Sequence, residues 1–191
     1  MTLVSTEAPW PAVGRPFTVA ELDRLPDDGR RYELLDGVLV VSPRPKNPHQ
    51  EVVAELLGLL RVACPPWLRA IPEPAVQISG TTELDPDIAV IRREQVGEAK
   101  CTEPPVLVVE VRSPRTALID LNRKKEAYER FGVPWYWVVG PDPDKPELLV
   151  FGLHDGRFRQ VAHVTGDEPF AAGEPLRIEI VPSRLVAGLP G

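Results

Sequence analysis

A chain of 191 residues carries enough sequence for one substantial domain, which buries roughly 70% of the surface its unfolded form exposes and needs neither disulfide nor metal to fold. Its 22 basic and 28 acidic residues give a net charge of −6, which excludes a histone-like or basic-tail mode of nucleic-acid binding but not a local basic cleft. The 2 cysteines, Cys64 and Cys101, exclude a zinc-ligand set or a disulfide framework.

No basic region followed by an apolar core opens the sequence, and no apolar run reaches the ~18 residues of a membrane span, so a soluble cytoplasmic protein is expected. The 23 prolines exceed twice the usual share of about 5% and are scattered between apolar segments, which reads as stiff loops.

In chain order, residues 1–16 show no periodicity and read as a flexible arm, with 17–191 forming a single domain. Thr18 caps a short helix, with Glu21 as its capping-box partner. Two apolar runs around Asp36-Gly37 predict a hairpin. Val52, Val53, Leu56, Leu59, Leu60 and Ala63 recur at helical spacing, predicting a helix over about 48–63 that Pro65-Pro66 stops.

AVQIS and DPDIAVI read as short strands, and VLVVEV, apolar almost throughout, as a central strand covered on both faces. A helix follows over about 117–131, ending at Gly132. PWYWVVG is a further strand, a second hairpin turns at Asp155-Gly156, and a short strand near RIEIV precedes a terminal turn. Strands mixed with two long helices give an α/β domain: a central mixed β-sheet flanked by helices.

Polar residues interrupt this pattern in three places. Asp87 opens one apolar strand. Glu110 lies inside another, sharing a face with Val108 and Arg112 while Val109 and Val111 point the other way. A carboxylate buried there costs several kcal/mol, on that order, unless a cation compensates it. A structural ion pair with Arg112 or a lysine meets that need, and so does a bound metal.

On the following helix, Lys124 falls on the stripe marked by Ala117, Leu121, Tyr128 and Phe131, where leucine is expected. Asp120 flanks that stripe, so an Asp120–Lys124 surface pair is the alternative to a Lys124–Glu110 contact. Two carboxylates at neighbouring strand ends suit Mg²⁺, which activates water and stabilises charge on a phosphate.

The order of these features resembles the PD-(D/E)XK nuclease superfamily, and within it the Uma-two-type family of restriction-endonuclease-like proteins. The segments that carry the likeness are RYELLDGVL at 31–39, His49, PDIAV at 86–90, VVEVRSP at 108–114, and the spaced series Asp120, Lys124, Tyr128, Gly132, Val133, Tyr136 and Trp137.

The resemblance implies a restriction-endonuclease-like core and a Mg²⁺- or Mn²⁺-dependent endonuclease acting on DNA, working as a homodimer. Asp87 and Glu110 would be metal ligands, the Val111 carbonyl a third, and Glu33 an additional acidic member of the catalytic set. Arg112 stands where the superfamily has its lysine. Arginine cannot act as a base near neutral pH, so Lys124 takes that catalytic place in this reading. Arg112 would then contact phosphate or brace Glu110, and His49 would contact phosphate or act as a general acid or base. Asp120 and Tyr128 would line the substrate side.

Between 110 and 131 six basic residues (Arg112, Arg115, Arg123, Lys124, Lys125, Arg130) outnumber four acidic ones (Glu110, Asp120, Glu126, Glu129). That balance is compatible with a phosphate-facing cleft. The competing reading is a catalytically silent nuclease-fold module that binds protein or nucleic acid.

Overall fold

The computed structural model describes residues 15–43, 46–112 and 119–189, and the side chains of 119–121 lie outside that description. Of the expected arm, residues 1–14 lie outside it; so do Ala117 and the side chains of Asp120 and Leu121.

Helix α1 (Val19–Leu22) begins as its sequence demands. The Thr18 backbone N–H donates to Glu21 Oε2 at 3.0 Å, and the Thr18 hydroxyl donates to the same oxygen at 2.8 Å. Strands β1 (Arg31–Leu35) and β2 (Val38–Ser42) form the first hairpin, with Leu35 opposite Val38. Its turn residues Asp36 and Gly37 both have positive φ, 51° and 77°, the conformation a two-residue turn needs to match strand twist. Helix α2 (Asn47–Ala63) buries Val52, Val53, Leu56 and Leu60 of the expected stripe, while Ala63 is half-buried and Leu59 is exposed.

Strands β3 (Leu68–Pro72), β4 (Val76–Ser79), β5 (Thr82–Leu84), β6 (Ile88–Arg92) and β7 (Leu107–Val111) follow. The next helix differs from the expected regular one: a π-helical turn (Ile119–Lys124) leads into α3 (Lys125–Phe131). Gly132 ends it in the left-handed conformation, φ 87°. Strand β8 (Trp135–Gly140) precedes the second hairpin, β9 (Glu147–His154) and β10 (Arg157–Thr165), which turns at Asp155-Gly156. Strands β11 (Phe170–Ala172) and β12 (Ile178–Ile180) pair with each other before α4 (Pro182–Leu185).

Six strands form a mixed sheet in the order β10-β9-β8-β7-β6-β3, parallel only between β7 and β8. Four more form an antiparallel sheet, β2-β1-β5-β4. Strand β7 lies inside the larger sheet, and all five of its residues are buried. Alternation sends Val109 and Val111 into the core beneath α2, and Val108 into a second core shared with Ala127 and Tyr128 of α3 and with Leu35 and Leu84 of the smaller sheet. Glu110 therefore points between the larger sheet, α3 and the smaller sheet. Among the described residues no helix is long and apolar enough to cross a membrane.

Candidate active site

The antiparallel pairing of β6 with β7, Ile88 opposite Val109, lays the start of β6 beside the end of β7. Asp87, one residue before β6, thereby reaches the Val111 backbone N–H, which donates to its Oδ2 at 2.7 Å. A buried carboxylate of a preceding loop is thus fixed against the strand that carries Glu110.

The smaller sheet adds a second row. Period-2 alternation puts Arg31 and Glu33 on one face of β1. Arg31 Nη1 donates to Asp87 Oδ1 at 3.3 Å, and its Nη2 lies 3.8 Å from Glu33 Oε1. Strand β5 pairs with β1 through Leu34 and Glu83, so the chain leaving β5 passes Glu33, whose Oε1 accepts the Asp85 backbone N–H at 3.0 Å. Glu33 is buried rather than facing solvent.

The helix supplies the third row. Lys124 and Tyr128, one turn apart, are both buried. Lys124 Nζ lies 2.9 Å from Glu33 Oε1 and 3.3 Å from Glu110 Oε1, and the Tyr128 hydroxyl donates to that Glu110 oxygen at 3.1 Å. The result is a chain of alternating charge, Asp87–Arg31–Glu33–Lys124–Glu110, that crosses from one strand of the larger sheet through β1 and the helix to its neighbouring strand.

His49, in the first turn of α2, places Nε2 2.9 Å from the Val111 carbonyl oxygen and 3.3 Å from Asp87 Oδ2. Burial disfavours the charged ring, but Asp87 and the Val111 carbonyl outweigh it and raise the His49 pKa above its ordinary value. Burial likewise works against the charged form of Asp87, and His49, Arg31 and the Val111 N–H overcome it, lowering its pKa. The Tyr128 hydroxyl is pushed well up, by complete burial first and by Glu110 next.

Arg112 is turned elsewhere. Its guanidinium pairs with Glu147 at the start of β9, over Gly140, and Glu147 Oε2 also lies 2.7 Å from His163 Nε2. A side chain at 140 would occupy the space of that guanidinium, so glycine there lets the arginine fold back across β8. The sequence expectation that Arg112 braces Glu110 is corrected to a brace on Glu147.

Two members of the cluster escaped the sequence reading, Arg31 and Asp85. The signal for Arg31 was its place two residues before Glu33 on one strand, and for Asp85 its place two residues before Asp87. The Asp85 carboxyl is placed to titrate near neutrality. Burial, with the Glu33 charge second, pushes it up to about 7.

That perturbation tests whether the cluster suits a divalent ion. Four carboxyl groups (Glu33, Asp85, Asp87, Glu110) surround Arg31 and Lys124; with Asp85 pushed up to about 7 and the His49 pKa raised, the negative excess near neutrality is less than two charges. Asp87 Oδ2 and the Val111 carbonyl converge on one electropositive point, the His49 Nε2. Among the described residues no three His, Cys, Asp or Glu side chains form a ready cage. Two carboxylates and a carbonyl are nevertheless hard oxygen donors of the kind Mg²⁺ uses, with waters and substrate oxygens completing its shell. The residues present fit such an ion.

A family model described as "Uma2: Putative restriction endonuclease" matches residues 19–184. No curated protein matches the chain. Among solved structures, the chain is similar to a crystal structure described as a "putative nuclease belonging to DUF820" from Anabaena variabilis ATCC 29413, with a TM-score of 0.71 and 19% identity over 90% of this chain and 98% of that one. At that identity the likeness speaks for the shared fold, the restriction-endonuclease-like arrangement of a mixed sheet flanked by helices.

Proposed function

Because the chain belongs to the Uma2 family of restriction-endonuclease-like proteins, we propose that it is a Mg²⁺- or Mn²⁺-dependent endodeoxyribonuclease whose centre is the cluster around Asp87 and Glu110. The observation that carries this reading is the cluster of buried carboxyls Glu33, Asp87 and Glu110 with the buried Lys124 inside it.

Asp87, Glu110 and the Val111 carbonyl would hold the ion, which when bound supplies Lewis-acid stabilisation of charge on a phosphodiester. The protein's own residues do the rest. Lys124, aimed by Glu33 and Glu110, presents an ammonium to the negative charge that grows on the phosphate as the bond breaks. His49 fixes the orientation of Asp87 and the Val111 carbonyl and has an N–H to give. Tyr128 orients Glu110 from within the core.

The acid–base role cannot fall to the arginine at the usual lysine position, because Arg112 is permanently charged and engaged with Glu147. That engagement favours one other reading, a silent module that binds without cutting. Supercoiled plasmid and linear DNA incubated with Mg²⁺, Mn²⁺ or EDTA separate the two. Nicking or linearisation that needs the ion and stops with EDTA supports the nuclease. DNA left intact with every ion supports the silent module.

A further inference from the structure

Two nitrogens of Arg31, Nε and Nη2, are buried without a hydrogen-bond partner among the described residues, as is His49 Nδ1. The Nη2 contact with Glu33, at 3.8 Å, is Coulombic and too long for a hydrogen bond. Its Nη1, by contrast, is held by Asp87. Nε and Nη2 make up one edge of the guanidinium, the fork that matches two oxygens of a phosphate. A buried donor without an acceptor costs about 1–3 kcal/mol, so two on one edge ask for a ligand.

Arg31 also lines a cleft of about 710 Å³ beside the cluster, together with Arg30 and five acidic residues, Asp23, Asp27, Glu73, Glu83 and Asp85. Lys124 is engaged with Glu33 and Glu110, and Arg112, outside the cluster, with Glu147.

We propose that Arg31 is a substrate-binding residue of the centre, its guanidinium turning out of its buried position to place the Nε–Nη2 edge on non-bridging oxygens of a strand phosphate. This rests on the nuclease reading and names the group that receives the phosphate there. Repulsion by the surrounding carboxylates is the obvious obstacle. A divalent ion on Asp87 and Glu110 would offset the negative charge of the carboxylates around Arg31, so strand binding through Arg31 is expected to be strong only with the ion present.

The test is fluorescence anisotropy of a fluorescein-labelled duplex with Ca²⁺ as the bound ion, over a range of salt, for wild type, Arg31→Lys and Arg31→Met. Removing one cation from a phosphate reduces the slope of log affinity against log salt by about 0.9. Arg31→Met should show a slope shallower by about that much. Arg31→Lys keeps the charge and lacks the fork. It should hold the slope and weaken binding on the order of tenfold, with its Ca²⁺ affinity by calorimetry unchanged.

Arg31→Lys conserves the charge balance and serves as the folding safeguard if Arg31→Met does not fold. Wild-type affinity in Arg31→Lys, together with an unchanged slope in any folded Arg31→Met, overturns the assignment while leaving the nuclease reading in place. A wild-type slope of zero overturns the nuclease reading itself, and this inference with it.

Discussion

Lys124 stands closer to Glu33, at 2.9 Å, than to Glu110, at 3.3 Å, so the buried lysine facing β7 is aimed by a strand of the other sheet. The smaller sheet is thereby part of the site: it brings Arg31, Glu33 and Asp85 against strands that would otherwise present only Asp87 and Glu110.

Metal should stabilise the fold through these carboxylates. A ligand that binds only the folded state raises its stability with concentration, so Mg²⁺ or Mn²⁺ should raise the melting temperature of wild type. Asp87→Ala and Glu110→Ala should lose that increment in differential scanning calorimetry. Metal affinity equal to wild type in both variants, measured by titration calorimetry, would remove the site from consideration.

Tyr128→Phe removes a single hydroxyl from a completely buried ring and leaves Glu110 Oε1 with one fewer donor. A hydrogen bond to a charged group contributes about 1.5–3 kcal/mol. Urea unfolding should show a loss near the lower end of that range, because Lys124 stays in place. A variant as stable as wild type would mean that the hydroxyl does not support the carboxylate.

Gly140→Ala should break the Arg112 brace. A Cβ there would fall on the Arg112 guanidinium and 2.7 Å from Glu147 Cγ. Overpacking of this kind costs roughly 1–3 kcal/mol. Arg112→Met, which clears the space, should make Gly140→Ala much less harmful, and a double-mutant cycle without coupling would contradict the packing argument.

The same brace gives an acid dependence. Burial disfavours the Glu147 carboxylate, but His163 and then Arg112 outweigh it and lower its pKa in the fold below the ordinary 4.5. Its stabilisation is therefore present above the unfolded value and lost as the pH falls through the lower folded one. Glu147→Gln should flatten the stability curve in that acid window. An identical acid limb in the two proteins would show that the pairing does not contribute.

Much of this arrangement is legible in the sequence because it is local. Asp-Gly turns, the α2 stripe and the continuous apolar run of β7 each follow from near neighbours, and Glu110 and Lys124 stand out as polar residues in apolar positions. What is not local was not legible. The pairing of β1 with β5 joins strands far apart in sequence, and it is this pairing that carries Asp85 to Glu33 and turns Glu33 inward. Strands β3, β5 and β11 are short and bounded by turn residues, so no period announces them. Arg112 was misplaced for a related reason: its partner Glu147 and the gap at Gly140 come from two later strands. The side chain of Asp120, expected beside Lys124, lies outside the described residues.

Cleavage of DNA at saturating Mn²⁺ by Lys124→Met, Arg112→Met and Lys125→Met, each shown to be folded by circular dichroism, tests the central claim most directly. Lys124 is buried between two carboxylates of the cluster, Arg112 is braced on Glu147, and Lys125 lies over the Phe151 ring at 3.9 Å. Lys124→Met, similar in volume, is expected to lose nearly all cleavage while still binding metal. Arg112→Met should lose less, and Lys125→Met least. Wild-type cleavage by Lys124→Met alongside an inactive Arg112→Met would contradict the account and return the catalytic role to the residue after Val111.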